Sequence, residues 1–381
     1  MSDNKTCSTK KNQIVKLGDI LEVLTDYHSN GSYKTLKENV TLLEQPNFAI
    51  MIRTTNFEKN DFRKNLIYIN QQAYNFLSKS KVFHQDILIN KIANAGAVYF
   101  MPRLDKPVSL GMNLFLLRIK KNYNKYFIFC ILKYNEKRLR LMAKGTTTKT
   151  ITKDNIKMFQ ILLPPLETQQ KIARTLSILD QKIENNHKIN ELLHTLAYKI
   201  YEYYFKYKPK NAKLEQIIIE NPKSSIMVKN AQKTQDKYPF FTSGDNILFY
   251  PKAIIDGRNC FLNTGGNAGI KFYVGKASYS TDTWCICANE FSDYLYLLLS
   301  SIKTHINQSF FQGTSLKHLQ KNLLKKYPIY MPSAHEIKKF NQIIMPLLTL
   351  ISINTRTSKK LEQIRDFLLP LLLIQQVKPP K

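Results

Sequence analysis

The sequence predicts an α+β protein built as an internal duplication: a mixed α/β domain followed by a long coiled-coil helix, twice over. Three observations carry this. Sliding the chain by 168 residues aligns Gly145–Phe205 with Gly313–Leu373 without a gap, and twelve of the 61 positions are identical, among them Gly145/Gly313, Thr146/Thr314, Pro164/Pro332, Ile183/Ile351 and Asn186/Asn354. A heptad-like seam recurs in both copies. A short motif, Asn90-x-x-x-Asn94-Ala95-Gly96, returns as Asn263-x-x-x-Asn267-Ala268-Gly269.

Five segments follow in order. Residues 1–13 form a flexible basic tail with net charge +2, and 14–160 a first mixed domain with +13. Residues 161–207 make a central helix at +1, 208–330 a second mixed domain at +8, and 331–381 a C-terminal helix at +5. The domains show short β-rich runs broken by Gly, Asn, Asp and Pro: Phe48–Arg53, Asp86–Lys91, Val98–Met101 and Leu114–Ile119, then Tyr238–Thr242, Cys260–Asn263, Ile270–Val274 and Thr283–Cys287. Each closes with an apolar helix containing Tyr126 or Tyr294.

The first seam runs Ile172, Leu176, Leu179, Ile183, Asn186, Asn190, Leu193, Ala197, Ile200, Tyr204. Its counterpart runs Phe340, Ile344, Leu347, Ile351, Asn354, Ser358, Leu361, Arg365, Leu368, Leu372. Alternating steps of four and three are the 3.5-residue period of a coiled coil, and a polar break at the same place in both fixes register at a cost in stability. A Pro-bearing stop precedes each helix, at Pro164-Pro165 and at Pro332. The first helix is expected from Leu166 to about Tyr207. Pro346 and Pro370 predict a kinked start and an early end for the second.

Charge then narrows the partner. Lys+Arg number 57 against 28 Asp+Glu, a net +29 that calls for a polyanion. Codon bias would spread Lys evenly, yet the two mixed domains hold +21 of the excess while the helix between them is almost neutral. The polar start of the chain does not read as a secretory signal, and the longest apolar runs fall far short of the ~20 residues of a membrane span. Five irregularly spaced cysteines (Cys7, Cys130, Cys260, Cys285, Cys287) fit a reducing cytoplasm, and Cys285-x-Cys287 reads as a strand rather than half a metal site.

Catalytic signatures are missing. The spacing from Gly269 to Gly275-Lys276-Ala277 fails the phosphate-loop pattern by one residue and lacks its hydroxyl. Leu163-Pro164-Pro165-Leu166 lacks the leading amide and the ring of an amino-methyltransferase loop. Asp180-Gln181-Lys182 and Glu336-Ile337-Lys338 have no partner carboxylate for metal-dependent cleavage, and none of the seven His stands in a metal or nucleophile spacing. The expectation is a protein that binds without catalysing.

Leu162-Leu163-Pro164-Pro165-Leu166-Glu167-Thr168-Gln169-Gln170-Lys171-Ile172-Ala173, followed by Leu179-Asp180-Gln181-Lys182-Ile183-Glu184-Asn185-Asn186, resembles the central conserved region of specificity (S) subunits of Type I restriction–modification systems. Lys360-Leu361-Glu362-Gln363-Ile364-Arg365-Asp366-Phe367-Leu368-Leu369-Pro370 resembles that family's C-terminal conserved region. Lys16-Leu17-Gly18-Asp19-Ile20, the stretch Tyr238-Pro239-Phe240-Phe241-Thr242-Ser243-Gly244 and the Gly-Thr pairs at 145 and 313 are similar to its target recognition domains. The match weakens at Met331-Pro332-Ser333-Ala334-His335-Glu336, where the second Pro and the Leu are replaced.

The resemblance implies two target recognition domains held apart by two long antiparallel helices with a pseudo-two-fold axis. Each domain would read one half of a split, asymmetric sequence in double-stranded DNA. It implies no cofactor on this chain: S-adenosylmethionine, ATP and Mg are expected on partners, namely two modification (methyltransferase) subunits and translocating restriction endonuclease subunits, with no membrane involved. For base contacts, loop residues with the right donors and acceptors are Arg53, Thr54, Asn56, Asn90, Lys91 and Asn94, then Thr242, Ser243, Arg258, Asn263, Asn267 and Lys271. Asn-Ala-Gly also suits a plain turn needed by both copies. The alternatives are an orphan S protein that modulates a resident system, and a coiled-coil scaffold binding RNA or an acidic protein.

Overall fold

The computed structural model describes residues 12–146, 148–231, 237–244 and 247–373. The expected N-terminal tail, apart from Asn12 and Gln13, lies outside the described residues, as do Cys7 and the last eight residues of the C-terminal segment. The chain divides into two compact units, one made of residues up to Gln181 together with those from Glu362, the other of Lys182–Leu361.

In the first unit, strand Gln13–Lys16 pairs antiparallel with Gln160–Leu163, joining the start of the domain to its exit. An antiparallel sheet runs in the order Leu21–Asp26, Leu114–Ile119, Ile87–Asn90, Val98–Phe100. A second sheet runs Ile67–Ile69, Ala49–Ile52, Val108–Leu110, Lys81–Val82, with its central pair parallel. Successive side chains on a strand point to opposite faces, and here both faces are buried. Phe115, Leu117, Ile119, Ile87 and Ile89 join the core shared with helix Lys125–Tyr134, whereas Leu114, Leu116 and Leu88 join a core with Ile52, Val82 and Leu110. That is why the strand sequences are almost continuously apolar.

The second unit repeats the plan. Ala212–Lys213 pairs with Pro328–Ile329. A sheet runs Ile219–Glu220, Thr283–Cys287, Arg258–Asn263, Ile270–Val274. Another runs Leu248–Tyr250, Tyr238–Phe241, Ser278–Tyr279, again with a parallel pair. Cys260, Leu262, Trp284 and Ile286 face helix Ser292–Ser301, while Phe261 and Cys285 face Phe241 and Tyr279. Cys285 is thus a buried strand residue, and burial pushes its thiol up.

The first long helix spans Leu166–Tyr201 and loosens into a π turn at Glu202–Lys206. The second spans Ala334–Leu373, 40 residues without a break, so the expectation of an early end is corrected. Each internal Pro removes one helical hydrogen bond at a cost of ~3 kcal/mol. Burial of Phe340, Ile344, Leu348 and Ile351 around Pro346 offsets that, at roughly 1.5–3 kcal/mol per side chain. The start, where the Pro-Pro-Leu pattern is lost, is secured by a capping box. Ser333 Oγ accepts from Glu336 N–H at 3.3 Å and Glu336 Oε2 accepts from Ser333 N–H at 3.0 Å. These bonds, with that from Tyr330, hold the Glu336 carboxyl at about 2.

Within each unit the two helices pair antiparallel. In the first, Ile172 and Leu176 share a core with Leu372 and Leu373, and Arg365 bonds Asp180 at 2.8 Å. In the second, Leu193 and Ala197 pack with Leu347, Ile344 and Phe340. Every seam position, including Leu179, Ile183, Ile200, Ile351, Leu361 and Leu368, is buried or half-buried. The polar break is satisfied internally: Asn186 donates to Ser358 at 3.1 Å and Asn354 to Asn190 at 2.9 Å. Adding 168 to the first-helix residues and subtracting it from the second-helix residues exchanges these two bonds, so the duplication extends to the hydrogen bonding. No helix among the described residues is long and apolar enough to cross a membrane.

Candidate nucleic-acid interface

In each unit, four loops at one edge of the sheets are stitched together by backbone hydrogen bonds. In the first, the Ile52 carbonyl at the end of its strand accepts from Gly111 N–H at 2.8 Å. Asn113 C=O accepts from Lys91 N–H at 2.8 Å, and Lys91 C=O from Ile151 N–H at 3.1 Å. The rim therefore runs from the Arg53 loop through the 111–113 turn and the 91–97 hairpin to the 144–150 loop. In the second unit Phe241 C=O accepts from Ser280 N–H at 2.9 Å, Asp282 C=O from Thr264 N–H at 3.3 Å, and Thr264 C=O from Leu319 N–H at 3.0 Å. The same rim thus runs from Thr242 through 280–282 and 264–269 to 312–318.

The sequence-derived candidates lie along these rims except Arg258, which opens its strand at the end away from Asn263. Asn90 and Asn263 end their strands and close the two hairpins: Gly96 N–H donates to Asn90 C=O at 2.8 Å, and Asn263 Nδ2 to Asn267 C=O at 3.1 Å. The glycines are required there. A Cβ on Gly96, whose φ is +86°, would lie 2.9 Å from the Arg140 nitrogen, and one on Gly269 would overlap the Asn263 side chain. Asn94 is half-buried and Asn267 exposed at the hairpin tips.

Lys91 is tied to Asp26 at 2.7 Å, beside Lys153 at 2.9 Å. Burial alone would raise the Asp26 carboxyl; hydrogen bonds from Lys91, Ser29 and Lys153 override it and hold that group well below the usual range. Lys271 spans Thr242 C=O at 2.8 Å and Asn263 Oδ1 at 3.2 Å. Arg258 is a clamp: its Nε bonds buried Asp293 at 2.5 Å, with a second guanidinium contact to the same carboxylate, and it reaches Thr349 at 3.0 Å and the Met345 carbonyl at 3.2 Å. Asn56 is also occupied, accepting from Arg53 N–H at 2.9 Å and donating to the Asp61 carbonyl at 3.2 Å.

The rims are alike in backbone and unlike in side chains. In the first, Arg53 donates to the Asn65 carbonyl at 3.1 Å and Thr54 opens a short helix. The following loop is fixed by left-handed Asn60 and Asn65 and by Asp61, which accepts from Arg63 and Lys64 N–H at 3.0 and 2.8 Å, leaving both side chains exposed. In the second, the same strand end leads into Thr242-Ser243-Gly244, where Ser243 Oγ accepts from Thr264 N–H at 3.2 Å and Thr242 Oγ1 from Gly244 N–H at 3.0 Å. Sequence reasoning missed the exposed Asn113 and Thr281 and the exposed Thr146, Lys149, Thr314 and Lys317 of the two Gly-Thr loops. For the loops the signal was present, in the Gly-Thr identities of the repeat.

The chain is thus a basic, duplicated α/β scaffold that presents a loop rim on each copy. The family model for the Type I restriction modification DNA specificity domain matches residues 9–195 and 210–363. The chain belongs to that family. A putative type I restriction enzyme MjaX specificity subunit of Methanocaldococcus jannaschii is 33% identical over 137 residues, 35% of this chain and 31% of that protein. The type I restriction enzyme MjaIX specificity subunit of the same organism is 24% identical over 284 residues, 63% of this chain and 66% of that protein. The chain therefore spans less than two thirds of the length of either. The crystal structure of a Type-I restriction-modification system S subunit from M. genitalium shares the fold, with a TM-score of 0.61 at 17% identity over 97% of both chains.

Proposed function

We propose that this chain is the non-catalytic specificity subunit of a Type I restriction–modification complex, reading a bipartite, asymmetric site in double-stranded DNA and directing methyltransferase and endonuclease subunits to it. The observation that carries this is the rim built twice on one backbone plan with different side chains. One scaffold used twice suits two half-sites, and divergent loops suit different sequences. The rims favour this over an RNA or acidic-protein scaffold, because their exposed groups are donors and acceptors on short loops rather than stacking rings.

Partner subunits bring S-adenosylmethionine, ATP and Mg. The modification subunits dock on the helices, where a second apolar stripe supports the assignment: Ile189, Leu192, Leu196 and Tyr203, spaced three, four and seven, are all exposed, Leu192 at 71%.

The test is a genome-wide map of methylated bases in cells with the gene intact and deleted. A split motif that vanishes on deletion is the expected result. An unchanged map overturns an active specificity role and favours an orphan subunit. In vitro, binding of duplex DNA falls by ~10³–10⁵ between 50 and 200 mM salt if about 6–10 phosphates are neutralised.

A further inference from the structure

The strongest unexplained likeness between the two units lies in solvent. Lys144 and Thr150 exchange backbone hydrogen bonds at 2.9 and 2.8 Å, and Gln312 pairs with His318 in the same way at an offset of 168. Each pair closes a five-residue hairpin loop, Gly-Thr-x-x-Lys in both copies. Gly145 and Gly313 share a left-handed φ, +134° and +142°, and in both a Cβ would lie within 2.4 Å of the carbonyl oxygen three residues on. The described residues of the two loops therefore take one conformation. Thr146, Lys149, Thr314 and Lys317 are all exposed.

Packing accounts for the nearby identity Lys153/Lys321 and for Lys325 of the next one, whose counterpart Lys157 is exposed. Lys153 serves Asp26; Lys321 lies over the Trp284 ring at 5.1 Å, and Lys325 pairs with Glu220. Lys149 and Lys317 sit instead at the end of the rim, one hydrogen-bonded step beyond the hairpin tips. In the second unit Gly266 N–H bonds the Lys317 carbonyl at 2.9 Å.

Two domains that read different half-sites have only the sugar–phosphate backbone in common. Exposed side chains kept alike in both, on rims that otherwise diverge, belong to that common element. A hydroxyl and an ammonium on a pre-formed hairpin are donors suited to phosphate oxygens, and they carry no base information. We propose that Thr146 with Lys149, and Thr314 with Lys317, form a matched pair of phosphate clamps that position the two domains on DNA while neighbouring loops read sequence. This rests on the DNA-recognition reading above.

The test uses the full chain, its Lys149→Gln, Lys317→Gln and double variants, the Lys→Arg counterparts, and a pool of random-sequence duplexes. Affinity is titrated against salt and the bound fraction is sequenced. Each Gln variant is expected to lower the salt slope by about 0.9 and affinity by about eightfold near 0.1 M salt, with the double variant additive. The Arg variants keep the slope, and the enriched sequence is unchanged throughout. A slope unchanged in the Gln variants overturns the clamps while leaving DNA recognition intact, and so does a changed base preference. Failure of the unmodified chain to bind duplex DNA overturns both readings.

Discussion

At the scale of single residues, the rims separate side chains that build the edge from those that face away from it. Arg258 is the sharpest case: its donor set suits guanine, but it opens the strand that Asn263 ends and so lies at the end away from the rim. Its guanidinium is committed to Asp293, which is 2% exposed. Truncating one member of such a pair strands a buried charge and costs about 3–5 kcal/mol. Arg258→Ala is therefore expected to lower the denaturant midpoint sharply, with Arg258→Lys intermediate because it loses the bidentate geometry. A variant of unchanged stability that had lost only DNA binding would show that the clamp is incidental. The same logic covers Lys91 and Lys271, whose ammonium groups are satisfied within the fold.

At the scale of elements, the helices show how far pattern reaches. Their 3.5-residue seam was legible because apolar spacing reports directly which face is buried, and all twenty seam positions are buried or half-buried in the fold. The expected early end of the second helix failed because proline's local cost was weighed without the burial on either side of Pro346. The Ser333–Glu336 capping box was visible in sequence as S-x-x-E and went unread. The eight strands read from the sequence were legible to within two residues because their runs are apolar, whereas short or polar strands such as Leu21–Asp26, Ile67–Ile69 and Val108–Leu110 were not read. The rim was not, because its joints are backbone bonds between segments far apart in sequence, such as Lys91 with Asn113 and Ile151. The polar break admits a direct test. Asn190 accepts from Asn354 and itself reaches Thr355 at 3.4 Å and the Ile351 carbonyl at 3.3 Å. Alanine at either position is expected to cost about 1–3 kcal/mol, with a coupling of ~0.5–1.5 kcal/mol in the double-mutant cycle by chemical denaturation. Leucine at both is expected to restore or raise stability while loosening register. Strictly additive alanine effects would show that the two amides do not act on each other.

At the scale of the whole molecule, charge and apolar surface are divided between two tasks. The mixed domains carry the basic excess, and the central helix, at +1, carries leucines and isoleucines left exposed among the described residues. Leu192 and Leu196 stand on a stripe of the helix that flanks the one already filling the seam, about 100° round the axis. A stripe of this period is matched by another helix, and the proposed modification subunit is the occupant the family implies. Replacing both residues by Asp places charge on an exposed face, so the fold and its DNA affinity are expected to stay within about 0.5 kcal/mol of the parent. The same change buries two unpaired carboxylates in a helical interface, which opposes docking by several kcal/mol. Co-purification of the modification subunit with the double variant is accordingly expected to fail, while duplex binding by the isolated chain persists. Retention of the methyltransferase by that variant would move the docking surface elsewhere, and joint loss of both activities would mean that the stripe serves the fold after all.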